Sequence, residues 1–194
     1  MLNIALFGPP GAGKGAQSDF LIKKYHLTHI SPGNIFRAEI AKKTSLGKML
    51  QHYMDAGNLV PEERVIETVS HALQERNDAH QGFLFDGYPR SVKQAEALDR
   101  QLAALAIPEK LQHVILLDVS QEEILMRLKK RSEIESRSDD GQDKILHRLG
   151  LYRAYSAPII AYYQESNRII TIPGEGKMEE VHERIAEAIK EFSI

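Results

Sequence analysis

Five short apolar runs recur along the chain, and helical patterns separate them. They are "LNIALFG" (2–8), "HLTHI" (26–30), "GFLFDG" (82–87), "HVILLDV" (113–119) and "RIITIP" (168–173). The first is unbroken and enters a glycine turn, as a buried strand does. Between the first two runs, Lys14 to Tyr25 follows a helical period. "PEERVIETVSHALQER" sets Ile66, Val69 and Leu73 on one helical face, and Val181, Ile185 and Ile189 repeat the pattern near the end. Strands alternating with helices predict an α/β three-layer sandwich, with a five-stranded, mostly parallel sheet covered on both faces. Right-handed crossovers are expected. Two segments interrupt the alternation. Residues 31–60 form a long, mainly helical excursion, and "SEIESRSDDG" (132–141) is a polar bridge between helical patterns. Each is long enough to cover a site, though an ordinary surface connection reads the same way from position alone.

With 194 residues the chain predicts a single domain, 1–194, with a substantial core. Its formal net charge of -2 comes from interspersed acids and bases, so no nucleic-acid surface is expected. The absence of cysteine removes disulfides, thiol catalysis and cysteine-ligated zinc, and no structural zinc is expected. "MLNIALFG" lacks a basic leader, and no apolar run approaches the ~20 residues of a membrane span. A cytoplasmic protein with no membrane partner is the expectation.

The candidate chemistry begins where the first run ends. "GPPGAGKGAQ" (8–17) has the glycine spacing and the lysine of a phosphate loop, G-x-x-x-x-G-K-[ST], placed between a strand and a helix. Glycines admit positive φ and let successive N–H groups surround an anion, and the helix adds its positive end. Lys14 supplies a mobile charge for the β and γ phosphates. A ligand-free glycine turn is the weaker reading, given the spacing, the lysine and the context. Gly15 stands where GTPases and motor ATPases place the magnesium-binding hydroxyl. Ala16 also lacks one, and Ser18 lies further into the helix. Magnesium must then be held mainly by substrate phosphates and water, which the ion tolerates.

"GPPGAGKGAQ", "DGYPRSVKQ" and "RSDDGQDKILHR" occur in that order. Together they resemble the nucleoside monophosphate kinases, most closely the short-lid adenylate kinases, from Leu2 to about Val181. The resemblance implies a P-loop sandwich with an NMP-binding subdomain at 31–60 and a short lid at 132–138. It implies that Pro10, Gly11, Ala12, Gly13, Lys14 and Gly15 hold ATP, and Gly15 fits the family's own pattern. Ala16 departs from it, Thr being usual there. Asp86, at the carboxyl end of the third strand, would bind magnesium through its waters. Gly87, Tyr88, Pro89 and Arg90 would shape the AMP pocket, with Arg90 gripping the phosphate. Gln94 would read the adenine edge, since an amide both donates and accepts. "SPGNIFR" matches the segment that supplies Ser31, Pro32 and a second clamp, Arg37. Pro32 and Asn34 replace the family's Thr and Asp. Asn58, Leu59 and Val60 match the backbone wall around the AMP base. Arg127 and Arg131, four apart and so on one helix face, fall on the ATP side. Arg137 and Arg148 would bridge toward AMP and the moving phosphoryl, and Asp139 and Asp140 would orient these arginines or cap the next helix. Gly176 matches a position whose backbone faces the ATP adenine. Taken singly, Asp86 reads equally as a cap, Arg90 as a surface ion pair and the lid arginines as solvated side chains.

The implied reaction is ATP + AMP ⇌ 2 ADP with Mg²⁺, catalysed by Lys14, Arg90, Arg131, Arg137 and Arg148. Phosphoryl transfer needs charge stabilisation and alignment more than covalent chemistry. AMP's phosphate has a second pKa near ~6, so it attacks as a dianion without a general base. None of the eight histidines shows metal-site spacing. Two alternatives stand beside this reading. A UMP/CMP kinase tends to carry Asn where Ser91 and Gln94 stand. A non-catalytic nucleotide switch would show N-K-x-D and a hydroxyl after Lys14, and neither is present. ATP, AMP and ADP are the expected partners, and a monomer suffices.

Overall fold

The computed structural model describes residues 1–56, 58–75, 81–105, 111–134 and 142–192, with the backbone alone at 132–134, 142, 143 and 192. The chain alternates strand and helix: β1 (Ile4–Phe7), α1 (Lys14–Tyr25), β2 (Thr28–Ile30), α2 (Pro32–Ala41), α3 (Ser45–Asp55), α4 (Glu62–Glu75) and β3 (Phe83–Asp86). It continues through α5 (Val92–Ala104), β4 (His113–Asp118), α6 (Gln121–Ile134), α7 (Gln142–Glu165), β5 (Ile169–Pro173) and α8 (Met178–Phe192). The sheet order is β2-β3-β1-β4-β5, and every pairing is parallel.

Burial on both faces explains why the strands read as apolar runs rather than alternations. Side chains still alternate between the faces. Ile4 and Leu6 join Leu84, Ile115, Leu117 and Ile170 on one side, under Leu21 of α1 and Val181, Ile185 and Ile189 of α8. Ala5 and Phe7 join Phe83, Phe85 and Val114 on the other, under Val69 and Leu73 of α4 and Leu98 and Leu102 of α5. The long α7 serves both layers, Ile145 and Leu149 packing into the first and Ile159 and Tyr163 into the second.

One boundary and one buried face differ from the sequence expectation. His26 is not in a strand but ends α1 in the left-handed region (φ 54°), so β2 shortens to three residues. On α4 the buried stripe is Val69, Ala72 and Leu73, while Ile66 is only partly covered. The strand that follows is pressed closely against the chain's start. A Cβ at Gly82 (φ 123°) would stand 2.1 Å from the Leu2 carbonyl oxygen, so only glycine fits.

The excursion at 31–60 holds two helices, α2 and α3. The chain reverses at Lys43 (φ 55°), and Thr44 caps α3 by accepting the Gly47 N–H at 2.9 Å. Phe36 and Leu50 are buried here, outside both main core clusters. α2 and α3 approach so closely that a Cβ on Gly47 would lie 2.3 Å from the Glu39 carbonyl oxygen.

β1 has β3 on one side and β4 on the other, so connections leave it in opposite directions. Ligands in such sheets sit beyond the strand ends at this switch point. The glycine loop lies there, and Asp86 pairs in register with Leu6.

Candidate active site

The loop between β1 and α1 takes positive φ at Gly8 (147°), Gly11 (85°) and Gly13 (93°). It packs on α6 so tightly that a Cβ on Gly11 would meet Leu128 Cγ at 2.8 Å. Among the described residues, no protein acceptor takes the N–H groups of Gly11, Gly13, Lys14, Gly15 or Ala16. These donors, at the start of a helix, form an anion cradle. Gly15 is exposed and a Cβ there would touch nothing within 4 Å, so its lack of a hydroxyl is not steric. Ser18 is buried and supplies no substitute at the surface.

Lys14 folds back over the loop, its Nζ donating to the carbonyls of Gly8 (2.7 Å) and Pro9 (2.9 Å). Burial lowers its pKa from 10.5 to about 8, against the opposing charge of Asp86 and with help from Arg90, Arg148 and Arg131. Those four groups come from the end of β3, the loop after it, α7 and α6. Burial acts to raise the pKa of Asp86, but the nearby His29 side chain and the charges of Lys14 and Arg90 outweigh it. The carboxyl therefore lies below its ordinary range and is ionised at neutral pH. His29 Nε2 stands 3.9 Å from Asp86 Oδ2. Pairing of His29 with Leu84 places His29 and Asp86 on the same sheet face. Histidine spacing along the chain gives no sign of this partnership, which depends on β2 lying beside β3.

Arg90 follows the cis Tyr88–Pro89 peptide, and its Nε donates to the Gly87 carbonyl at 2.8 Å. Arg90 is exposed to solvent. Desolvation, Arg148 and Arg37 lower its pKa, with Asp86 opposing. Gln94 is nearly fully buried, its Oε1 accepting the Arg90 backbone N–H at 2.7 Å. Ser91 caps α5 by accepting the Gln94 N–H at 3.2 Å, and its hydroxyl donates to Glu62. Tyr88 lies in the core, its hydroxyl donating to the Gln94 carbonyl at 3.2 Å. Only its backbone remains to shape a pocket.

On the helical excursion, Ser31 is buried and Pro32 is the first residue of α2. Proline suits that place because its missing N–H would be an unpaired helix donor. Arg37 Nη2 donates to the Asn34 side-chain oxygen. Asn58 contacts His147 of α7 at 3.0 Å, bringing the end of the excursion beside Arg148's helix. Leu59 is exposed and Val60 half-buried.

Arg127 stitches the far side together. It pairs with Glu123 (2.6 Å) and donates to the carbonyls of Ala12 (3.3 Å) in the loop and Gly174 (3.0 Å) after β5. Gly176, two residues on, has φ 105°. Arg131 and Arg148 are half-buried within electrostatic reach of Lys14. Arg137, Asp139, Asp140 and the lid expected at 132–138 fall largely outside the described residues, and nothing is placed there.

The fold and this loop define a P-loop nucleotide-binding α/β protein. A family model described as adenylate kinase matches residues 6–168. The chain is 44% identical to an adenylate kinase of Thermobifida fusca over 189 residues, 97% of this chain and 98% of the relative. It is 39% identical to adenylate kinases of Parabacteroides distasonis (97% of this chain, 98% of the relative) and Phocaeicola vulgatus (99% and 100%). The chain belongs to the adenylate kinase family.

Proposed function

We propose that the groups around Lys14 carry out in-line phosphoryl transfer, and that the chain acts as an ATP:AMP phosphotransferase, ATP + AMP = 2 ADP. The observation that carries the assignment of residues is the electrostatic coupling of Lys14, folded over the glycine loop, to Asp86, Arg90, Arg131 and Arg148 from separate elements. ATP lies with its phosphates on the open N–H groups of the 8–15 loop. AMP lies on the side of α2, with its phosphate between Arg90 and Arg37 and its base against Gln94 and residues 58–60. Arg137, by its match to the family's lid, joins Arg148 over the transferring group.

Asp86 is ionised at the mouth of the site, and no cluster of three or more His, Cys, Asp or Glu exists among the described residues. Magnesium carried by the nucleotide phosphates, with Asp86 holding its waters, fits this donor set. When bound it neutralises phosphate charge. The dianionic AMP phosphate needs no base, since its second pKa is near ~6. Lys14 and the arginines stabilise charge spread over the transferring oxygens.

Residues 31–60 and 132–138 close over the nucleotides and exclude water, which would otherwise accept the phosphoryl group. The burial of Phe36 and Leu50 outside both main core clusters supports the first of these as a moving unit. Repulsion among the arginines favours the open state until two nucleotides neutralise them. One chain carries the whole site, so we place the enzyme as a monomer in the cytoplasm, without nucleic-acid or membrane partners. No described helix is long and apolar enough to cross a membrane.

Acceptor competition tests the reading. With ATP and Mg²⁺, AMP is expected to exceed UMP and CMP in kcat/KM. Equal or better turnover of UMP overturns it.

A further inference from the structure

The turn between β5 and α8 is held by arginines from two sides. Arg184 Nη1 donates to the carbonyls of Pro173 (2.8 Å) and Glu175 (2.7 Å). Arg127 Nη2 takes the carbonyl between them, that of Gly174, at 3.0 Å. The Gly174 N–H donates to the Asp118 carbonyl at 2.7 Å, and the Lys177 N–H to Glu180 Oε2 at 3.0 Å. The Lys177 carbonyl accepts the Val181 N–H at 3.3 Å. Glu175 Oε1 accepts the Ser120 N–H at 2.9 Å, tying the turn to the start of α6. Backbone groups seek partners. Three here have none among the described residues: the N–H groups of Glu175 and Gly176, and the Gly176 carbonyl. Both residues are exposed.

We propose that Arg184 is a positioning residue for the donor base. By occupying the carbonyls on either side of Gly174, it leaves the turn one open acceptor, the Gly176 carbonyl, beside open N–H donors. That pattern complements the edge of adenine, which shows an exocyclic amino donor next to a ring-nitrogen acceptor. Guanine presents a carbonyl and a protonated ring nitrogen there, the reversed pattern. Arg184 suits the task because its planar fork holds two acceptors at fixed angles, whereas an ammonium rotates. Glu180 Oε2, 3.7 Å from Arg184 Nη2, steadies the fork from the same helix. The inference rests on reading the Gly176 turn as the wall of the donor-base site.

The test compares Arg184→Met and Arg184→Lys with the wild type. Kinetics vary ATP, AMP and, as alternative donor, GTP. Arg184→Met is expected to raise KM for ATP about tenfold, with kcat and KM for AMP within about twofold. The preference for ATP over GTP should fall about fivefold, and Arg184→Lys should recover part of both effects. Unchanged KM for ATP and unchanged preference overturn the role of Arg184. So does a parallel rise in both KM values with a lower Tm, which is what a merely structural residue would give. The amide resonances of Glu175 and Gly176 in the wild type, titrated with a non-hydrolysable ATP analogue, separate the two layers. Shifts are expected. Their absence overturns the donor-base reading of the turn itself, and with it this proposal.

Discussion

The side-chain oxygen of Gln94 accepts the backbone N–H of Arg90 at 2.7 Å. This one bond orients the amide. With the oxygen engaged, the Gln94 amino group is what remains to face a ligand. An amino donor suits a ring nitrogen bearing a lone pair, as adenine has and uracil, protonated there, lacks. Ser91 and Glu62 hold the start of α5 behind it. Arg90 and Gln94 are therefore coupled: one grips a phosphate while its backbone aims the residue that meets the base.

Replacing Gln94 by Glu keeps an acceptor for Arg90 and removes the donor. The expected result is a fall in kcat/KM for AMP of about 10²-fold, or ~2–3 kcal/mol, the cost of an unmet buried polar contact. KM for ATP should stay unchanged. Steady-state kinetics with each nucleotide varied in turn check this.

Lys14, with its pKa lowered to about 8, gives a pH dependence with a definite sign. Only the protonated ammonium attracts phosphate, so kcat/KM for ATP should fall as pH rises through about 8. That profile reports the free enzyme. Stability runs the other way. Between about 8 and the ordinary 10.5 the unfolded chain binds the proton that the native Lys14 has lost. The empty protein therefore gains stability as pH rises through that window. Lys14→Met should lose turnover by orders of magnitude, keep its fold and show neither pH effect. A pH series of kcat/KM and of denaturant midpoints measures both.

Asp86 holds the Lys14 ammonium in its charged form. In Asp86→Asn the alkaline limb of the Lys14 profile should therefore move below 8. The variant should also need more Mg²⁺ for half-maximal rate and turn over about 10²-fold more slowly. Magnesium titrations at several pH values read the two effects separately.

Gly47 lies where α2 and α3 almost touch. Gly47→Ala forces the helices apart and should cost about 2–4 kcal/mol, if the damage spreads to the whole fold. If residues 31–60 move as their own unit, KM for AMP should instead rise several-fold with KM for ATP spared. Calorimetry beside the two KM values distinguishes these outcomes.

The sheet was legible because strands covered on both faces cannot hide their apolar runs. The chain from Lys14 to Tyr25 was legible because loop, lysine and helix are contiguous. What escaped the sequence depends on contacts between distant segments. His29 meets Asp86 only because β2 lies beside β3. Tyr88 sits within a polar motif yet turns into the core, displaced from the pocket by the fold around it. Arg184 carries no local signal, being one charged residue on the polar side of an amphipathic helix. The split of 31–60 into two helices depends on a left-handed residue at Lys43, where no glycine announces it.

Arg90→Ala tests the central claim most directly. The substitution removes the guanidinium while keeping the backbone N–H that holds Gln94. The rate of ADP formation from ATP and AMP, measured at saturating nucleotide beside Tm, should fall by about 10³-fold with Tm nearly unchanged. Near-normal turnover in Arg90→Ala would contradict the assignment of these residues as the site of phosphoryl transfer.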